Sequence, residues 1–349
     1  MRFLIWICLG ATACGSVSGG PDAPAACTPE TDLQFCTRLA KTCEAFSGMD
    51  NCNQPRAASC GTCSGATPVC NANVCAAPAC GTSFAGTAGT PVAGVNIVGK
   101  QSALLGASES GGSVLYLEAT TTCVSGGASV VIADEAVAGT PPYVLQTIDT
   151  LASLAGFQRT EETMTLTASG LEVIGVGTGG RRLLASTRTA VGMIDFSAAA
   201  VGPFAFVNAS IPPSPASLSW PVISRDGLEL TFTVAGATDT MLNGIYDSVR
   251  ATTNTTFPAA TRVTGAVQTF AAITGLSSDR MTAFVTMGFA SGTEILTRAS
   301  LSDAFVVPPT SMPPFQAIRI VPIEGCARLI GTSQPGGCQN EAISTWAKM

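Results

Sequence analysis

The chain has 349 residues, of which 46% are apolar and 11% charged, with a net charge of −6 and no histidine. That balance excludes a solvated disordered chain, and the lack of Glu, Lys and Arg runs argues against a helical bundle. The missing histidine removes Ser-His-Asp and Cys-His catalysis, His-ligated zinc and a His general base, and without a basic stripe nucleic acid is not an expected partner.

The chain begins MRFLIWICLGATAC, with one basic residue, a short apolar run from Phe3 to Leu9 and small residues before Cys14. The run is too short to span a bilayer and fits a secretory signal. Ala11-Thr12-Ala13 is an acceptable site for ordinary signal peptidase, while ATAC resembles a bacterial lipobox in which Cys14 becomes the lipidated first residue. Of 14 cysteines, 11 precede residue 81. Cleavage before Cys14 leaves 13, an odd set, and lipidating Cys14 leaves 12. The even set favours a lipoprotein: residues 1–13 as signal, and 14–26 as lipidated Cys14 and a flexible Gly/Ser/Ala/Pro tether. Gly15 is not the Asp that often retains lipoproteins at the inner membrane, so the expected location is the outer membrane.

Residues 27–79 form the next expected unit. Cys27, Cys36, Cys43, Cys52, Cys60, Cys63, Cys70 and Cys75 are separated by 8, 6, 8, 7, 2, 6 and 4 residues. Leu33, Cys36, Leu39 and Cys43 recur at helical spacing, and Thr31 and Asp32 are placed to cap that helix. So small a segment cannot bury an adequate core, so disulfides are expected to replace one. Zinc competes through the C-x2-C of Cys60 and Cys63, but no second C-x2-C stands at ribbon spacing, and no metal or cofactor is expected. Glu30-Thr31-Asp32, Phe35-Cys36, Asp50-Asn51-Cys52 and Cys60-Gly61-Thr62-Cys63 together resemble a Cys-rich module of exported proteins and lipoproteins of social, predatory soil bacteria. The resemblance covers about fifty residues and implies export and an accessory role, without a known reaction.

From residue 80 onward the chain repeats itself. Turn-then-strand segments start at Ser108, Thr167, Ser224, Ser277 and Ile323; with Gly112, Gly170, Gly227, Arg280 and Cys326 taken as equivalent, the steps are 58, 57, 53 and 46 residues. A second marker keeps time with the first: Arg188, Arg250 and Arg298 precede Phe196, Phe257 and Phe305 by seven or eight residues. A strand-rich period near fifty reads as β-propeller blades of about four strands. The fold class is therefore all-β, a propeller of five blades, with six as the alternative count, preceded by the disulfide-rich module. The last repeat lacks an outer strand, and Phe84–Asn96 is expected to supply it and close the ring. Cys326 and Cys338 flank a hairpin with Pro335-Gly336-Gly337 at its turn and are expected to pair, which leaves Cys80 with Cys123. Ser224-Arg225-Asp226-Gly227-Leu228 resembles the repeat signature of TolB-like propellers, and Ser277 and Asp279 keep part of it. That resemblance implies a fold and little about a ligand.

Among candidate groups, Asp226 and Asp279 are expected to bind turn amides in their own blades. Arg188, Arg250 and Arg298 are expected to act between blades. Glu161 and Glu162 are adjacent, and neighbours on a strand face opposite ways, so a turn or outer-strand role is expected over acid–base work. The run Gly175–Arg182 lacks the Lys-Ser/Thr of a phosphate loop. No catalytic residue is assigned. The expected function is a non-enzymatic, membrane-tethered scaffold whose ring binds a protein or envelope component. The alternative is a glycan-active hydrolase or lyase using Asp, Glu, Tyr and Arg, against which weigh few acids, three Trp and three Tyr.

Overall fold

The structure, a computed structural model, describes residues 27–62, 69–71, 73–76, 89–119, 128–137, 140–160, 162–213, 216–286, 292–308, 317–326, 328–333 and 342–347. Cys14 with its signal and tether, Cys63, Cys80, Cys123, Cys338 and Glu161 lie outside these residues, as does the side chain of Cys70. Contacts divide the chain into a small unit that ends at Thr62 and takes in Cys70–Val74, and a large unit made of the rest. Among the described residues no helix is long and apolar enough to cross a membrane.

The small unit has one helix, α1 (Asp32–Arg38), and a hairpin of β1 (Ala45–Met49) and β2 (Pro55–Ser59). Thr31 caps the helix and Gln34 reaches back to the Thr31 amide, which satisfies two amides at its start. Its buried cluster is small: Phe35, Cys36 and Ala58, with Leu39 and Phe46 against them. Disulfides Cys27–Cys52 and Cys36–Cys60 tie the helix and the N-terminal arm to the hairpin. Cys43, Cys75 and Cys326 are also disulfide-bonded. A further strand pair, β3 (Val69–Asn71) and β4 (Val74–Ala76), follows.

The large unit is an all-β propeller of five blades. After β5 (Thr90–Pro91), blade 1 contains β6 (Gln101–Ala107), β7 (Ser113–Ala119), β8 (Ser129–Val137) and β9 (Thr140–Thr147). Blade 2 has β10 (Met164–Leu166), β11 (Glu172–Val176) and β12 (Leu183–Thr187). Blade 3 has β13 (Ser217–Ile223), β14 (Glu229–Ala235), β15 (Gly244–Val249) and β16 (Thr261–Arg262). Blade 4 has β17 (Ala272–Leu276), β18 (Thr282–Thr286) and β19 (Thr293–Thr297). Blade 5 has β20 (Ala317–Ile323), β21 (Arg328–Ser333) and β22 (Ala342–Ala347), and β5 from the front of the chain is its fourth strand.

The apolar alternation read from the sequence fills the seams between blades. Leu105 and Leu115 meet Leu166 and Val173 across the first seam, and Ile174 and Leu183 meet Leu230 and Phe232 across the second. Val222 and Ile245 meet Ile273 and Val285, Phe284 and Ile295 meet Ile320 and Trp346, and Ile330 and Ile343 meet Leu104 and Tyr116. Each blade buries both faces against neighbours, which is why its polar positions, such as Thr231 and Glu229, are buried as well.

The turn between the first two strands of each blade holds a left-handed residue, Gly111, Gly170, Gly227, Arg280 and Cys326 in turn, with Glu324 left-handed as well in blade 5. In the first repeat the equivalent residue is thus Gly111, one position before the Gly112 taken from the sequence. Ser224 and Leu228 N both donate to Asp226 Oδ1, and Ser277 and Met281 N do the same to Asp279.

Candidate functional site

The innermost strand of four blades is bulged in the same place. Register shifts fall between Leu104 and Gly106, Ser219 and Val222, Ile273 and Gly275, and Ala317 and Ile320. A bulge leaves residues out of the ladder and re-aims them. Trp220 and Arg319 lie inside two of these bulges, and Trp220 holds a left-handed φ of 53° that a bulky residue adopts at a cost.

Arg319 is fully buried. Its Nη1 donates to Leu105 O of blade 1 and, at 2.7 Å, to Met164 O of blade 2. The guanidinium lies 5.2 Å from the Trp220 ring centroid, close enough for a cation–π contact. Trp220 N in turn donates to Glu162 O. Three blades therefore converge: Trp220 from blade 3, Arg319 from blade 5, and Glu162 immediately before β10 of blade 2.

Glu162 is half-buried, two residues short of the Met164 carbonyl that Arg319 engages. Burial pushes its carboxyl above the usual carboxylate range, and the positive charge of Arg319 opposes that shift only in part. In a chain without histidine, a carboxyl displaced toward neutrality is a group able to give and take a proton under mild conditions. Arg319 is near enough for its charge to act on this carboxyl, and Thr163 braces the turn by donating to Gln158 O and Thr160 O.

Glu162 stands in a turn, one of the two roles expected for the Glu161–Glu162 pair, and that turn leads into an innermost strand rather than an outer one. Arg319 and Trp220 were missed from the sequence. An arginine inside the apolar run of QAIRIVPI was the available signal, because a charge there must be buried with partners. Among the described residues no group of three or more Cys, Asp or Glu is arranged to hold a metal.

The repeated arginines stand at the other end of the strands. Arg188, Arg250 and Arg298 each donate from Nε to a turn carbonyl of their own blade, Gly170, Gly227 and Arg280. Each lies over its marker phenylalanine, Phe196, Phe257 or Phe305, at 5.6, 4.3 and 4.5 Å. Arg188 then reaches Asp134 and Arg298 reaches Glu229, both in the preceding blade. Burial raises Glu172 and Glu229, with Arg250 and Arg298 respectively acting against the shift. These groups join blades. In the small unit an open groove of about 780 Å³ runs along α1, with Glu30 and Arg38 paired to each other within it.

No protein-family model and no curated protein matches the chain. Among solved structures, a thermostable family-43 glycoside hydrolase is similar, with a TM-score of 0.48 and 6% identity over 73% of this chain and 91% of that one. The α-L-arabinofuranosidase PaAbf62A of Podospora anserina, solved with cellotriose, has a TM-score of 0.44 and 13% identity, over 76% of this chain and 96% of that one. TolB of Acinetobacter baumannii has a TM-score of 0.36 and 10% identity over 89% of this chain, which spans 61% of TolB. The expected non-enzymatic scaffold is corrected here, since glycoside hydrolases on propellers stand prominently among the similar structures. The likeness itself extends to the fold.

Proposed function

We propose that the chain is an exported enzyme, anchored to the outer membrane through a lipid on Cys14, that cleaves a glycan of the cell envelope or its surroundings. The reaction is assigned to the end of the ring where Glu162, Trp220 and Arg319 converge. The observation that carries this reading is the placement of Glu162: half-buried at the start of an innermost strand, where the charge of the buried Arg319 acts on it. In its neutral form Glu162 protonates the leaving oxygen of the sugar bond as a water molecule adds to the anomeric carbon, its spare proton passing to solvent. Once it has given the proton, Arg319 stabilises the carboxylate left behind. General acid catalysis of this kind contributes on the order of 10²–10⁴-fold to a rate.

The test uses the purified soluble chain, begun after Cys14, against a panel of envelope and plant glycans. New reducing ends report hydrolysis, and absorbance of an unsaturated sugar reports elimination. Glu162→Gln is expected to lower turnover at least a hundredfold while the thermal midpoint holds or rises. No product from any glycan, or full activity in Glu162→Gln, would sink the reading.

A further inference from the structure

Trp220 holds a backbone conformation that suits glycine better than tryptophan. The first strand of blade 3 bulges between Ser219 and Val222, where Pro221 has no amide to lose from the ladder. Inside that bulge Trp220 has a φ of 53°. The other non-glycine residues of the large unit described with a left-handed backbone are Arg280, Glu324 and Cys326, and all three stand in turns between strands. Glycine would adopt this φ without cost, so a bulky side chain held there marks a contact that the strain makes possible.

Core packing is not that contact. Among the described residues Trp220 is 6% exposed but belongs to none of the clusters that fill the five seams, grouping with Ala272 instead. Its ring lies 5.2 Å from the Arg319 guanidinium, which blade 5 sends across to Leu105 O and Met164 O. Its amide donates to Glu162 O in blade 2. Rotation about N–Cα sets the angle between an amide and its own side chain, so the unusual φ aims one at the backbone of the acid and the other at the cation. Burial pushes the Glu162 carboxyl up and Arg319 acts against that push, and both influences depend on how the two groups are held.

We propose that Trp220 is a positioning residue for Glu162, its amide fixing the backbone of the acid and its indole fixing Arg319, so that one strained residue sets where the acid and the cation stand relative to each other. Its effect on cleavage rests on the role proposed above for Glu162, whereas its hold on the carboxyl does not.

The experiment follows the full exported chain, isotope-labelled at its glutamate carboxyls, by NMR against pH, with the Glu162 signal assigned by its loss in Glu162→Gln. Trp220→Gly keeps the amide, accepts the left-handed φ and removes the ring. Burial outweighs Arg319 at Glu162, so loosening both moves the titration of the carboxyl from its raised value toward 4.5. That shift is expected in Trp220→Gly, with Trp220→Phe between it and the wild type. On a glycan that the wild type cleaves, kcat in Trp220→Gly is expected to fall about tenfold or more while KM holds, and the alkaline limb of the rate to move with the titration. Should Trp220→Gly fail to fold, Trp220→Leu, which also lacks the ring, is read the same way. An unmoved titration in the ringless variant overturns the proposal even where Tm falls, because the ring would then serve packing alone. So does a kcat unchanged from that of an active wild type. If the wild type cleaves no glycan, the reading of Glu162 as an acid fails, and the titration, which needs no substrate, still decides Trp220.

Discussion

Arg188 Nη1 lies 2.6 Å from Asp134 Oδ2, with the arginine side chain 0% and the aspartate 2% exposed, across the seam between blades 1 and 2. Ser113 donates to the same carboxylate, as does Gly192 N, so every partner in the cluster depends on the others. Removing one member of a buried pair leaves the other charged and unpaired, at about 3–5 kcal/mol. Arg188→Met is therefore expected to lower unfolding stability by that amount in urea titrations. Arg188→Met with Asp134→Leu is expected to recover much of the loss. Equal losses in the single and double variants would mean that the pair does not hold the seam.

The same ladder shows what the sequence could disclose. The Arg-to-Phe marker was legible because it repeats, and it repeats because each blade needs the same clamp on its neighbour. The acceptors were not legible. Asp134 lies on the third strand of its blade while Glu172 and Glu229 open the second, two residues after Gly170 and Gly227, and only the fold brings them opposite an arginine. Arg280 and Cys326 hold a left-handed turn that glycine fills in other blades, so counting glycines alone would have lost two blades. Trp220 and Arg319 stayed hidden for a different reason: a bulge decides which side chain enters the channel, and no short motif encodes a bulge.

Acid is expected to stabilise the ring before it destroys it. Burial raises Glu162, Glu172 and Glu229 above the ordinary 4.5, so the folded state holds their protons more tightly than the unfolded chain does. The stability they contribute is fully present below the unfolded value and is lost as pH rises through the raised folded values. Glu30 and Asp195 run the other way, held low by Arg38 and Thr189, and weaken the protein only as pH falls below the ordinary carboxylate range. The melting temperature is thus expected to rise as pH drops from above the raised folded values toward the ordinary carboxylate range, and glycan cleavage to fall on the alkaline side as Glu162 loses its proton. A melting temperature that declines steadily across that window would contradict the burial of these carboxyls.

In the small unit the disulfides carry what the core cannot. Cys27–Cys52 and Cys36–Cys60 span 25 and 24 residues, and closing loops of that length restricts the unfolded chain by about 3.5 kcal/mol each. Phe35, Cys36 and Ala58 alone do not offset such a loss. Replacing Cys36 and Cys60 with Ala in the full chain is expected to make residues 27–62 cleavable by dilute protease while the blades stay intact. Peptide mapping distinguishes the two, and equal resistance with and without the bridge would show that packing suffices.

Closure of the ring rests on Asn96, a residue well outside the last blade in sequence. Its Oδ1 accepts from Ile343 N at 2.8 Å, and its Nδ2 donates to Ile343 O at 2.8 Å and Val92 O at 3.0 Å. Val92 N also donates to Ile343 O at 2.8 Å, and Thr90 and Pro91 pair with Thr345 and Ser344. A half-buried amide thus extends a two-residue strand pairing into a clamp on β22. Asn96→Ala removes three hydrogen bonds and leaves Ile343 N without its side-chain acceptor, at about 2 kcal/mol for the orphaned backbone groups. Asn96→Asp keeps the acceptor and forfeits the donors, so it is expected to fall between wild type and Asn96→Ala. Hydrogen exchange is the measurement of choice, because the loss should appear first at Ile343 to Trp346 and spare β14 and β15 on the far side of the ring. Unchanged protection at Ile343 in Asn96→Ala would mean that the seam between Ile330, Ile343 and Tyr116 holds the ring shut by packing alone.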